Sequence, residues 1–520
     1  MVQIALSDAR PIDLYASNHT KGERTHVTKV GLLVAKNSAS NVIRGSATAA
    51  VAILLPHFLT HSLDVGRFAA WSLMLQIAAY AGYLDFGLQT AIGRFVAQAT
   101  ELEQWERRKH IVATAFSMLC GAGLLAAIVI GFIIWHIESL FPGIPPTLAT
   151  ELQKASAVVA LSACLLLPLS TFTGVLIGLH RNEFPAIVIG GSRLVGALAV
   201  IVASRYTHSL IVLGLCIGVT NLLGGIIQLI IAQRMVPGIG LNPMRAKKTI
   251  AREILVFCAA LTVFAVGMLL VSGLDVTILG HFRFEEVGFY SVAGLLVSFS
   301  AGLSSSVTSA LISPIAALHA RFDVGRIQDT VKRVTKISAF ANFLITAFIL
   351  LTGHFFLKLW VGSEYADRAT SILGLLAIAQ AIRLIGASYS AMLIATGQQS
   401  KGIQNGIAEA LTNLVASIIG AALYGGIGVA WGTLIGAVVG ILWIFFYTMP
   451  SAHDVPFSAW PFFKSTVALP VLCAGPAFLL LLIPRTMTPL PVITAIVSYV
   501  LCIGIAVRFH VVPRSLSLRG

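Results

Sequence analysis

Residues 111–135 read IVATAFSMLCGAGLLAAIVIGFIIW, 25 positions without one charged side chain. A helix needs about 20 mostly apolar residues to cross the hydrocarbon core, because lipid offers its backbone no other hydrogen-bonding partner. Ala155 to Leu179 repeats the pattern, again without a charge. Working outward from these two, about fourteen such stretches follow one another, near 42–62, 68–91, 111–135, 155–179, 185–204, 209–232, 254–279, 287–311, 337–357, 369–396, 402–424, 426–448, 465–484 and 491–508. Composition agrees: 57% of residues are hydrophobic and 11% charged, with a mean hydropathy of +0.89, where a soluble chain carries roughly 25% charged residues. The expectation is an all-α polytopic membrane protein with about fourteen transmembrane helices and no sizeable soluble domain.

The net charge of +14 would suit a nucleic-acid binder, but the positions of the charges point elsewhere. With the N-terminus inside, 26 of the 35 Lys and Arg fall on the inner side, counting Arg44 and Arg508 at the inner ends of their spans. Seven lie outside, and Arg193 and Arg383 lie within spans. This is the positive-inside asymmetry of a membrane protein, whose basic partner surface is anionic lipid and not nucleic acid. Residues 1–41 have no apolar core ahead of a cleavage site, so they read as a cytoplasmic tail and not as a cleaved signal peptide. Residues 509–520 read as a second cytoplasmic tail. The six cysteines fall inside spans without metal-ligand spacing, so neither a metal site nor a cofactor is expected.

Internal repeats are common in transporters. Here Asp64-Val65-Gly66-Arg67-Phe68 enters the second span and Glu286-Val287-Gly288-Phe289-Tyr290 enters the eighth. The repeated entry divides the chain into a six-helix bundle over 42–232, a basic cytoplasmic linker over 233–253, a second six-helix bundle over 254–448 and two further helices within 449–508. Two bundles related by a parallel repeat suit alternating access, with a site between them facing one side and then the other.

The stretch Val65-Gly66-Arg67-Phe68-Ala69-Ala70-Trp71-Ser72-Leu73, continuing through Tyr83-Leu84-Asp85-Phe86-Gly87-Leu88-Gln89-Thr90-Ala91 to Arg94-Phe95-Val96-Ala97, resembles the second-helix signature of polysaccharide-export flippases. Similar matches follow in order at Gly174 to Arg181, at Leu274 to Gly280 with Val287 to Ala293, at Ser313 to Leu318 and at Leu359 to Tyr365. Over about residues 42–450 the chain resembles the O-antigen-flippase-like branch of the multidrug/oligosaccharidyl-lipid/polysaccharide (MOP) exporter superfamily. The resemblance implies a MATE-like fold in the bacterial inner membrane. It also implies transfer of an undecaprenyl-diphosphate-linked oligosaccharide between leaflets, for O-antigen, capsule or exopolysaccharide. Implied partners are H+ or Na+, together with a polysaccharide polymerase and a chain-length regulator.

Such cargo needs a polar, preferably cationic path. Arg193 in the fifth span and Arg383 in the tenth are candidate diphosphate ligands, because an intramembrane arginine is costly and a guanidinium offers phosphate a planar fork of donors. Arg383 could instead pair with Glu409 on the next helix. Arg44 and Arg94, at inner span ends, could meet incoming diphosphate, although the topology alone accounts for them. Gln76, Tyr80 and Tyr83 share one face of the second span, and Asn405, Glu409, Asn413 and Ser417 recur every four residues on the eleventh, as a polar lumen or a helix-packing seam would require. Asp275 and Glu409 are the candidate ion-coupling carboxylates. A lone His57 in the first span is read as structural, and Asp85 before Gly87 as a helix distortion.

An enzyme is not expected. No catalytic pair of carboxylates is spaced for acid–base work, the longest outside connector, His136 to Lys154, holds about 19 residues, and no G-x-x-x-x-G-K-[ST] phosphate loop occurs. The nearer alternative is an ion-coupled multidrug or metabolite exporter of the same superfamily, whose lumen would carry the opposite charge.

Overall fold

The computed structural model describes residues 45–237, 239, 245–452 and 454–472. Every described regular element is a helix, and each of the first twelve expected spans coincides with one. In chain order they are α1 (45–62), α2 (Val65–Tyr83), α3 (Leu88–Glu101), α4 (Trp105–Trp135), α5 (Ile137–Leu140), α6 (Pro146–Gly178), α7 (Glu183–Ser204) and α8 (Leu210–Met235). Then come α9 (Lys248–Met268), a π turn (Leu269–Gly273), α10 (Asp275–Phe282), α11 (Val287–Ala320), α12 (Val324–Val361), α13 (Ser363–Ile385), α14 (Ala387–Ala395) and α15 (Gln399–Trp443). A second π turn (Ile444–Thr448), α16 (Met449–Ser451) and α17 (Ala459–Thr466) close the described chain. The helices overrun the apolar stretches because a helix that leaves lipid keeps its own backbone bonds in water. Both tails, Arg44, Cys473, Cys502 and the fourteenth span lie outside the described residues, as does most of the thirteenth.

Three expected spans are not straight helices. The second breaks between α2 and α3, where Phe86 and Gly87 take φ of 52° and 75°. Asp85 accepts the Gln89 N–H at 3.4 Å there, the distortion its position suggested. A Cβ at Gly87 would also lie 2.7 Å from Leu261, so the turn needs glycine twice over, for its left-handed backbone and for the close approach of α9. The seventh span is divided by the Leu269–Gly273 π turn, a distortion that recurs at functional sites. The tenth is interrupted at Gly386, between α13 and α14.

The run α15 is two antiparallel arms, 399–424 and 426–443, reversed at Gly425 (φ 63°, ψ −137°), which matches the expected division of the eleventh and twelfth spans. Gly428, Gly432, Gly436 and Gly440 recur every four residues along the second arm and face Gly420, Ser417, Asn413 and Glu409 on the first. A Cβ at Gly436 would lie 2.8 Å from Asn413 Cβ, and one at Gly440 would lie 2.9 Å from Glu409 Oε2. The arms touch because the glycines present no side chain.

α6 packs against α2, α3, α4 and α8; α13 packs against α11, α12, α14 and α15. With the start of α1 taken as inner, one apolar core joins both groups in the outer half: Phe68, Leu73, Ile130 and Leu213 share it with Phe289, Tyr365, Ile372 and Val429. In the inner half there are two cores. One gathers Ile92, Val96, Ile111 and Phe172 with Ile250, Ile254 and Cys258 of α9; the other gathers Ile315, Val331, Tyr389, Ile444, Phe457 and Phe462.

Candidate functional site

The two entry motifs meet at the outer seam. Asp64 caps α2, accepting the Arg67 N–H at 2.8 Å. Glu286, the equivalent residue of the second copy, accepts the Gly426 N–H at 2.6 Å and so ties the start of α11 to the α15 turn. A Cβ at Gly288 would lie 3.2 Å from Phe68 Cδ1. Tyr365 stands edge-on to both Phe68 and Phe289, with ring centroids 5.7 and 5.0 Å apart. Farther along the seam, the Trp360 indole N–H donates to Ile53 O at 2.7 Å, and His57 Nδ1–H donates to Trp360 O. His57 is thus one half of a reciprocal clasp between α1 and the end of α12.

Below this seal lies a polar cluster around the π turn. Gln76 of α2 donates to Gly273 O at 2.7 Å, the Tyr80 hydroxyl bonds Thr277, and Tyr83 crowds Gly273, where a Cβ would lie 3.1 Å from its hydroxyl. The face read from residues 76, 80 and 83 therefore points at α10 and the turn before it. From the other side, Asn413 donates to Val271 O. The carbonyls that a π turn leaves without regular helical partners are in this way satisfied by amides from two different helices.

Asp275 starts α10 and is 5% exposed. Tyr290 O–H donates to its Oδ2 at 2.7 Å, and Thr433 Oγ1 lies 3.4 Å from the same oxygen. Ser417 Oγ lies 3.0 Å from Asn413 Oδ1 and 3.4 Å from Val429 O. The buried carboxylate thus meets hydroxyls from α11 and the second arm of α15 and lies within electrostatic range of Arg383. The contacts of Tyr290 and Thr433 with Asp275 escaped sequence reasoning because they join hydroxyls to a residue 15 and 158 positions away.

Deeper on the same arm, Arg383 Nε donates to Glu409 Oε1 at 2.5 Å and Nη1 donates to Gln380 Oε1 at 3.1 Å. Arg383 is therefore held by the acid one helix away, and its charge is balanced within the second bundle. Its Nη2 and Asn405 Oδ1 are buried with no hydrogen-bond partner. Asn413 and Ser417 are wholly buried against the glycine arm, so this part of the stripe is a packing seam that also carries polar contacts.

Arg193 is exposed on α7 and donates from Nη1 to Thr48 Oγ1 of α1 at 2.7 Å. Arg94 is exposed midway along α3, its guanidinium 4.7 Å from the Phe257 ring of α9. The structure thus brings together Gln76, Tyr80, Tyr83, Asp275 and Asn413. It sets Arg383 and Glu409 beside them as an ion pair and keeps Arg193 and Arg94 apart on the first bundle.

A family model described as Polysaccharide biosynthesis protein matches residues 62–370, more than half of the chain. The chain belongs to this polysaccharide biosynthesis protein family. The match takes in both entry motifs, Asp275 and the break at Gly87. No curated protein sequence matches the chain. Among solved structures it is similar to the lipid II flippase MurJ in an inward closed conformation, with a TM-score of 0.68 and 14% identity over 91% of this chain and 99% of that one. It is also similar to an inward-facing multidrug resistance MATE family transporter of the MOP superfamily, with a TM-score of 0.59 and 18% identity over 78% of this chain and 93% of that one. A Vibrio cholerae MATE transporter gives 0.57 and 13% over 83% and 99%. The family member is therefore a multi-pass membrane protein that shares the all-α fold of these MurJ and MATE structures, with eight described helical runs long and apolar enough to cross a membrane.

Proposed function

We propose that this protein moves an undecaprenyl-diphosphate-linked oligosaccharide from the cytoplasmic to the outer leaflet of a bacterial inner membrane, by alternating access, for assembly of O-antigen, capsule or exopolysaccharide. The observation that carries this reading is the pairing of a polysaccharide biosynthesis family with a transporter fold. A membrane protein of that family with a transport fold has saccharide on a lipid carrier as its natural cargo, since a sugar chain and a diphosphate cannot cross hydrocarbon unaided. The lipid named for the MurJ flippase supports a lipid-borne cargo, whereas the MATE transporters support the alternative of a drug or metabolite exporter.

Arg193 is the leading diphosphate contact, because it is exposed at mid-span depth and reaches toward α1. Arg383 contributes geometry more than net charge, being balanced by Glu409. Transport is ion-coupled in this reading, with H+ or Na+ at Asp275, where Thr433, Tyr290, Ser417 and Asn413 supply neutral oxygens nearby. Ion occupancy would then alter the contacts of α10, the segment against which Gln76 and Tyr80 of the first bundle close.

The test is reconstitution into liposomes with a labelled lipid-linked oligosaccharide, with and without an imposed proton or sodium gradient. Flipping accelerated by one gradient, and lost in Asp275→Asn, is expected. Equal flipping under all gradients with a wild-type Asp275→Asn variant would make the protein a facilitator and the acid structural. Efflux of organic cations in place of the oligosaccharide would favour the exporter reading.

A further inference from the structure

Arg108 is the one buried arginine among the described residues, and it is unrelated to the polar cluster. It sits one turn into α4, at the inner end of the third span, just after a tight turn in which Glu103 takes φ of 54°. The residue is 7% exposed. Its guanidinium lies over the Trp105 ring at 4.6 Å, and Nη1 reaches Thr100 Oγ1 only at 3.5 Å. Nε is buried without any hydrogen-bond partner.

The neighbouring acids serve other cations. Glu106 bonds Lys109 at 2.7 Å, Glu253 bonds Arg107 at 3.0 Å, and Glu101 faces His180 at 3.6 Å. Among the described residues, Arg108 has no ion-pair partner. A guanidinium with five donors, taken largely out of water and left without an anion, is an expensive group to keep. Face contact with one indole compensates only part of that cost.

Its place suggests what completes it. The half-exposed Trp105 lies at the level where indole rings settle among lipid headgroups, and Arg107, Lys109 and Arg245 make the surroundings positive. We propose that Arg108, with Thr100 and Trp105, forms a binding site for the phosphodiester of an anionic inner-leaflet phospholipid. The phosphate takes the guanidinium edge that no protein group fills. The site is independent of the cargo reading.

The test is native mass spectrometry of the full chain in detergent, titrated with phosphatidylglycerol, phosphatidylcholine or inorganic phosphate. Wild type should retain one phosphatidylglycerol more tightly than phosphatidylcholine. Arg108→Gln should weaken that retention by about fivefold or more, and Arg107→Gln, which removes the same charge one residue away, by less than about twofold. Should Arg108→Gln fail to fold, Arg108→Lys serves, keeping charge but losing the fork, with a loss of about threefold expected. Equal losses in the Arg107 and Arg108 variants would reduce the site to diffuse surface charge and overturn the proposal. So would inorganic phosphate displacing the lipid at millimolar concentration, or an Arg108→Lys variant that retains lipid like wild type.

Discussion

At the outer surface the two helix groups share one apolar core, an aromatic contact through Tyr365, the Trp360–His57 clasp and the Glu286 bond to Gly426. In the inner half each group closes on its own core, and the principal bridge is α9, which packs with the first group. The outer side is closed by a few directional contacts added to a continuous core, while inside each half satisfies its apolar surface separately. Parting at the outer seam must therefore divide this shared core as well as break its directional contacts, but it leaves both inner cores intact.

Fixing the seam should have the largest effect. Gly288→Cys with Ala69→Cys, bridged by a short bifunctional thiol reagent, should abolish oligosaccharide flipping in liposomes, because a Cβ at Gly288 would lie 3.7 Å from Ala69 N. A reductively cleavable bridge should restore it on reduction. Either cysteine alone should keep most activity.

Next comes the deeper ion pair. Glu409→Gln leaves the Arg383 guanidinium largely buried without its carboxylate and should cost about 3 kcal/mol of stability, measured by thermal unfolding in detergent. Arg383→Met combined with Glu409→Leu should recover most of that loss. Failure of the pair to recover would mean that Arg383 also stabilises a second carboxylate, for which Asp275 lies within electrostatic range.

The glycine arm tests packing with a built-in control. Gly432→Leu must push against Ser417 and should destabilise by about 1–3 kcal/mol, whereas Gly267→Leu, on a stretch with nothing within 4 Å of its Cβ position, should leave stability unchanged. Comparable losses at both positions would put protein where the inner half has open space.

The smallest expected effect lies in the clasp. Trp360→Phe keeps the ring but loses the N–H to Ile53 O, worth about 1 kcal/mol. Thiol labelling at Ala69→Cys from the outer side should then rise by about fivefold, the population change that such an energy allows. Unchanged labelling would leave the aromatic contact as the working seal.

The first twelve spans and the two entry motifs were legible because apolar length and repetition are written along one dimension. The break at Gly87 and the reversal at Gly425 were legible for the same reason, since glycine beside a polar residue or between two long apolar runs marks a turn. What stayed hidden depends on pairs far apart in the chain. The bond from Gln76 to Gly273 joins residues 197 positions apart, and the clasp from Trp360 to Ile53 joins residues 307 apart. Arg383 shows the limit clearly: its type and depth allowed either a phosphate ligand or a pair with Glu409, and only the packed helices decide for the pair, at 2.5 Å. The stripe from 405 to 417 had the right period for two purposes, and the glycines opposite decide in favour of packing at Asn413 and Ser417.

The reversal at Gly425 bears on how the chain is made as well as on how it works. Contacts between the two arms join residues as near in sequence as Gly420 and Gly428, then Ser417 and Gly432, then Asn413 and Gly436. A hairpin of such short loops can zip from its tip with little chain entropy to overcome, ahead of any pairing between distant helices. The two apolar arms would then leave the translocon as one inserted unit, Thr433 already alongside Ser417 and its neighbours, with the Gly426 N–H at the tip still to be taken up. Glu286 supplies that acceptor, so the hairpin tip is completed only when α11 docks against it.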